Sequence, residues 1–194
     1  LYGTLTAALH TTAGQRERGS LEPQLMNPAP RSALVLGKWA AVACVAMLIA
    51  LLSCASFLPG QWLLRSDTLA AMFRFGVAEG AMFLALLLPL AGALSALLMA
   101  IAIRCQSFKE AQANATALVL AVSLLPLLTL FNQEGEASWF LWVPALAQIT
   151  LMGRVLKGEP MAGWDLAIPS AVCLVLTVLC LGYVARSLRK AALQ

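Results

Sequence analysis

Trp39 to Leu58 is a run of twenty residues without a charged side chain, and it constrains the fold more than any other feature of the chain. A helix of that length rises about 30 Å at 1.5 Å per residue, the thickness of the hydrocarbon core of a bilayer. Val77 to Ile103 repeats the pattern with Glu79 as its sole charge, and Leu166 to Ala185 repeats it with none. Hydrocarbon offers backbone N–H and C=O groups no water, so such runs fold as helices that pair these groups internally. With 61% hydrophobic and 11% charged residues and a mean hydropathy of +0.84, the chain is far more apolar than a soluble domain. The expected fold is an all-α polytopic transmembrane helix bundle, a single membrane-spanning domain over residues 1–194.

Taken in order, Leu1 to Ala13 is too short to span and reads as the cytoplasmic end of a helix whose start is missing. Gly14 to Arg31 is polar and carries Arg16, Glu17, Arg18, Glu22 and Arg31, so it reads as a cytoplasmic loop. It holds one short helix from about Leu21 to Asn27. Ser20 serves as its N-cap, Glu22 meets the helix dipole, and Pro23 sits where a missing N–H does no harm. Leu21, Leu25 and Met26 give that helix a small apolar face suited to a groove on another protein. Trp39 to Leu58 is the first full crossing, with Lys38 and Trp39 anchoring its inner end and Pro59-Gly60 stopping it. Gln61 to Arg74 reads as an outer loop or interfacial helix. The second crossing, Val77 to Ile103, is expected to kink at Pro89.

Ser107-Phe-Lys-Glu110 is an S-x-x-E capping box, so a third crossing starts there after a tight cytoplasmic turn and runs to about Phe131, with Pro126 as a second kink. Asn132 to Ser138 exits to the outer phase. Trp139 to Leu156 is interrupted by Pro144, Gln148 and Arg154 and reads as a re-entrant or interfacial outer helix. Asp165 offers an N-cap to the last crossing, Leu166 to Ala185, and Arg186, Arg189 and Lys190 follow it. The total is about four full crossings, a truncated N-terminal helix and one outer partial helix.

The charges orient this scheme. Arg16, Arg18, Arg31, Lys38, Arg104, Lys109, Arg186, Arg189 and Lys190 fall inside, against Arg65, Arg74, Arg154 and Lys157 outside, a bias of nine to four. A further crossing through Trp139 to Leu156 would put the C-terminal basic cluster outside. Trp62, Trp139, Trp142 and Trp164 fall at the outer interface and Trp39 at the inner one, as amphipathic rings at headgroup level should. The net charge of +4 is explained by this topology and not by nucleic acid.

Two stretches carry a resemblance. QRERGSLEP, followed by a Pro-rich break, Arg31 and LVLGKW, resembles the first cytoplasmic loop of permease subunits of type 2 ABC exporters, of the sodium-export (NatB-like) branch. SFKEAQANATALVLAVSLLP, Ser107 to Pro126, resembles the segment those permeases carry at the next cytoplasmic turn. Together the matches reach from Ala13 to about Lys157. Gln15 departs from the acidic residue of the family pattern, and His10 from a common carboxylate. The resemblance implies the C-terminal part of a permease in the bacterial inner membrane, C-terminus cytoplasmic, with a front portion absent. It implies a second permease copy and a separate ABC ATPase subunit as partners. The coupling contacts would be Arg16, Glu17, Arg18, Gly19, Ser20, Leu21, Glu22, Pro23 and Leu25, with Ser107, Lys109 and Glu110 forming the second cytoplasmic turn.

The chemistry-bearing residues are few. No G-x-x-x-x-G-K-[ST] motif is present, so ATP and Mg would be bound by the partner and no cofactor is expected in this chain. One histidine and no HExxH motif exclude the usual intramembrane metalloprotease pattern. A structural or assembly subunit remains the competing reading. Glu79, Asn132 and Gln148 are candidates for a substrate path, against interfacial pairing of Glu79 with Arg74 and interhelical hydrogen bonding of the two amides. Cys44, Cys54, Cys105, Cys173 and Cys180 lack metal or disulfide spacing and read as small hydrophobes. Asn114-Ala-Thr116 matches a glycosylation sequon on the inner side, and Gly76 and Gly80 form a G-x-x-x-G pair suggestive of close helix packing.

Overall fold

The computed structural model describes residues 2–11, 13–14, 31–63, 76–105, 107–131, 138–159 and 163–191. In chain order these form α1 (Tyr2–Thr11), α2 (Arg31–Leu63), α3 (Val77–Arg104), α4 (Phe108–Phe131), a 3-10 turn (Ser138–Trp142), α5 (Leu146–Lys157) and α6 (Gly163–Ala191). No strand occurs among the described residues. Four stretches are long and apolar enough to cross a membrane: Ala33–Ser56, Ala78–Arg104, Phe108–Leu127 and Gly163–Leu188. At 12 residues, α5 is about 18 Å long and too short for a fifth crossing. The chain is an all-α, multi-pass membrane protein.

Its exposed side chains fit a lipid solvent. Leu52 (63% exposed), Val178 (68%) and Leu179 (65%) stand on the outside of crossing helices, a surface that would drive aggregation in water but costs nothing against acyl chains. Hydroxyls are dealt with locally. Ser95 donates to the carbonyl of Ala91 at 2.7 Å, Ser123 to Val119 at 2.8 Å, Thr150 to Leu146 at 2.7 Å and Ser170 to Leu166 at 2.8 Å. Each bond satisfies a polar group within its own helix, as hydrocarbon requires.

The chain packs as two compact units. Unit one comprises Leu1–Ala46, Ala91–Ser123 and Leu174–Gln194; unit two comprises Met47–Leu90 and Leu124–Cys173. In unit one, Leu5, Leu9 and Ala13 pack with Val42 of α2, Leu98 and Ala102 of α3, and Ala111, Ala115 and Val119 of α4. The alanines let backbones approach closely, which matters where dispersion replaces the hydrophobic effect as the drive for helix association. A second cluster joins Val35 of α2, Met99 of α3 and Val184 of α6.

Three sequence expectations need correction. α2 continues past Pro59 and Gly60 to Leu63. A proline removes only its own N–H, and a helix carrying one inside a membrane keeps the rest of its ladder, as α3 does at Pro89, α4 at Pro126 and α6 at Pro169. α6 begins at Gly163, so Asp165 lies in its first turn and is not its N-cap. Trp39 is no headgroup anchor: its indole N–H donates to the carbonyl of Gly92 at 3.0 Å. Gly92 lies twelve residues before the end of α3 at Arg104, about 18 Å along the helix. Gly76 and Gly80 lie one helical turn apart. Gly76 precedes α3, and its carbonyl accepts the Gly80 N–H at 3.0 Å.

Candidate functional site

The turn between α3 and α4 is held by a chain of short-range bonds. The Cys105 thiol donates to the Ile101 carbonyl at 3.3 Å, and the Asn114 amide donates to Cys105 Sγ at 3.4 Å. Ser107 accepts the Glu110 N–H on its Oγ at 3.2 Å and the Ala111 N–H on its carbonyl at 3.1 Å. One of the free N–H groups at the start of α4 is thereby capped, and the first regular bond of the helix is made. Ser107, Lys109 and Glu110 are exposed, while Phe108 between them turns inward against α1. The sequon asparagine, Asn114, is thus part of this turn.

Phe108 is the contact between this turn and the residues that precede the 15–30 segment. The His10 and Phe108 rings lie 5.7 Å apart at 46°. A Cβ added to Gly14 would stand 3.8 Å from Phe108 Cε2 and 3.4 Å from the Leu9 carbonyl. After the segment, α2 begins at Arg31 and is pinned at once by Val35, 2% exposed, packed with Met99 and Val184. Both ends of the segment are therefore rooted in unit one, which also contains the α3–α4 turn. Arg16, Glu17, Arg18, Gly19, Ser20, Leu21, Glu22, Pro23 and Leu25, with the short helix expected there, lie outside the described residues. Asn132 and Arg74 do also.

In unit two the candidate polar residues hold helix starts. Glu79 accepts the Gly76 N–H on Oε2 at 2.8 Å, the reach-back half of a capping box, with its charge in the first turn of α3. A Cβ on Gly76 would fall 2.7 Å from that oxygen, so a larger residue there would make the carboxylate shift. Gln148 is 1% exposed. Its Oε1 accepts the Ala145 N–H at 2.7 Å, and its Nε2 donates to Cys173 Sγ of α6 at 3.3 Å. Both side chains hold helix starts.

Two further features escaped the sequence reading. Arg154 of α5 pairs with Asp165 of α6 at 3.6 Å, both side chains about one quarter exposed or less. Asp165 sits in the first turn of its helix and Arg154 in the last turn of its own, so each charge also meets a favourable helix dipole. Gly158 closes α5 in the left-handed conformation with φ 70 and ψ 23. The signal for Gly158 was legible, a glycine directly after Lys157. No local pattern announced the ion pair. Trp139, Trp142 and Trp164 are exposed in unit two, and Trp139 meets Phe140 edge-on at 4.5 Å.

Four apolar crossings, with a short helix between the third and fourth, make the chain a polytopic membrane protein. The chain belongs to the ABC-2 transporter family, whose family model, described as ABC-2 family transporter protein, matches residues 4–189. Over 163 residues it is 29% identical to the ABC transporter permease protein NatB of Bacillus subtilis (strain 168). That alignment takes in 80% of this chain and 41% of the relative, so the chain spans less than half the length of the protein it matches.

Proposed function

We propose that the chain is the membrane permease part of an ATP-driven exporter in the bacterial inner membrane, with its C-terminus in the cytoplasm. A separate ABC ATPase subunit binds ATP and Mg, and a second permease copy completes the pathway. By likeness to the NatB permease the exported species is sodium or another small substrate. The 14–31 segment is the coupling element, with Leu21 and Leu25 seated on the ATPase and Arg16, Glu17, Arg18 and Glu22 around them. Gly19, Ser20 and Pro23 shape the helix start, and Ser107, Lys109 and Glu110 form the adjoining turn.

The observation that carries this reading is the rooting of both ends of the segment in one packed unit. Gly14 lies against Phe108 of the α3–α4 turn, and Val35 lies against α3 and α6. Displacement of the segment by a closing ATPase pair would act on α1, α2 and that turn together, through close-packed contacts that transmit strain. The test is crosslinking of Leu21→Cys, in a cysteine-free version of the intact protein, to its co-expressed ATPase subunit. A crosslink that differs between ATP-bound and nucleotide-free states is expected. Labelling of Leu21→Cys from the cytoplasm with no crosslink in either state would remove the coupling role and leave a structural or assembly subunit.

A further inference from the structure

At the end of unit one where α3 finishes, two cations flank an exposed aromatic ring. The guanidinium of Arg104, the last residue of α3, stands 5.9 Å from the centroid of Tyr183 on α6. Tyr183 is 41% exposed. Arg186 is three residues further along α6, on the same face, and is exposed like Arg104. Among the described residues neither arginine has a carboxylate partner within ion-pair distance. The helices beneath them are fixed, since Ala100 and Ile103 of α3 pack with Leu181, Val184, Ala185 and Leu188 of α6. Directly below the ring the outward face of α6 is a bare apolar stripe, Leu179, Val178 and Val175, each more than half exposed.

We propose that this corner binds an anionic phospholipid. Its phosphate lies between Arg104 and Arg186, and one acyl chain lies along Leu179, Val178 and Val175. The pairing follows from charge and shape. Two guanidinium groups at the edge of a hydrocarbon-facing surface favour an anion placed at headgroup depth, and the planar donor fork of arginine matches phosphate oxygens. Tyr183 holds one guanidinium over its ring. A protein helix covering the stripe would have to bring its own anion to this one level, whereas an anionic lipid carries phosphate and chain in the required order. The site is independent of the transported species.

The test is native mass spectrometry of the intact protein released from micelles holding equal phosphatidylglycerol and phosphatidylcholine. Retained phosphatidylglycerol should exceed phosphatidylcholine by about tenfold, falling to near parity in Arg104→Gln/Arg186→Gln. Arg104→Lys/Arg186→Lys and the charge control Lys157→Gln should stay within about twofold of the parent. If the double variant does not accumulate, Arg186→Gln alone, an exposed position, should lower the ratio about threefold. An unchanged ratio in the glutamine variants overturns the proposal. So does displacement of the lipid by millimolar inorganic phosphate, which would mark a simple anion site.

Discussion

Ala145 is the one non-glycine residue with positive φ among the described residues, at φ 69 and ψ −43. These angles lie near those of the rare, strained form of the γ-turn, a conformation costing on the order of 1–3 kcal/mol. It is held in place by Gln148, whose Oε1 takes the Ala145 N–H inside the protein. Gln148→Leu should destabilise the protein by about 2 kcal/mol, the cost of an unsatisfied buried N–H, read as a lower denaturation midpoint in detergent. Ala145→Gly should do the opposite, raising the same midpoint by about 1 kcal/mol as strain outweighs the added chain entropy. Trp39 is a second residue whose role is a single bond. Trp39→Phe keeps the ring against Gly92 but loses the donor, and a loss of about 1 kcal/mol is expected.

At the scale of elements, the ends of helices decide more than their middles, because the middles are satisfied by their own ladders. Ser107 starts α4 by accepting the Glu110 N–H. Ser107→Ala should cost about 1 kcal/mol, while Ser107→Asp, which keeps an acceptor there, should cost little; thermal unfolding of both variants checks this. α5 and α6 are joined by Arg154 and Asp165 at 3.6 Å. A double-mutant cycle with Arg154→Gln and Asp165→Asn should return a coupling energy of about 1 kcal/mol, diminishing in high salt because both groups reach water. A coupling of zero would mean that each charge serves only its own helix dipole.

For the molecule as a whole, the spans and the basic residues make a topology that can be read directly. Single cysteines at Lys109 and Arg186 should react with an impermeant thiol reagent only from the cytoplasmic side, and one at Lys157 only from outside, in the intact protein free of its other cysteines. That pattern follows from the nine-to-four charge bias and from α5 being too short to cross. Reaction of Arg186→Cys from outside would overturn the proposed orientation, and with Lys109→Cys still reacting from inside it would require a fifth crossing.

The sequence by itself determined the crossing helices. Charge-free runs of twenty or more residues must fold as helices in hydrocarbon, whatever their neighbours, so the four crossings were legible. The start of α4 was legible for the same reason, since Ser107 and Glu110 are three residues apart and their bond is local. Only the tertiary structure decided which polar groups meet. Trp39 finds Gly92 across 53 residues and Gln148 finds Cys173 across 25, distances over which no pattern along the chain fixes a partner. Trp39 therefore read as a headgroup anchor, and Gln148 as a group for either a substrate path or an interhelical hydrogen bond. The passage of α2 through Pro59 was hidden likewise, because a proline ends a helix in water but leaves it standing where the surroundings offer its backbone no other hydrogen-bonding partner.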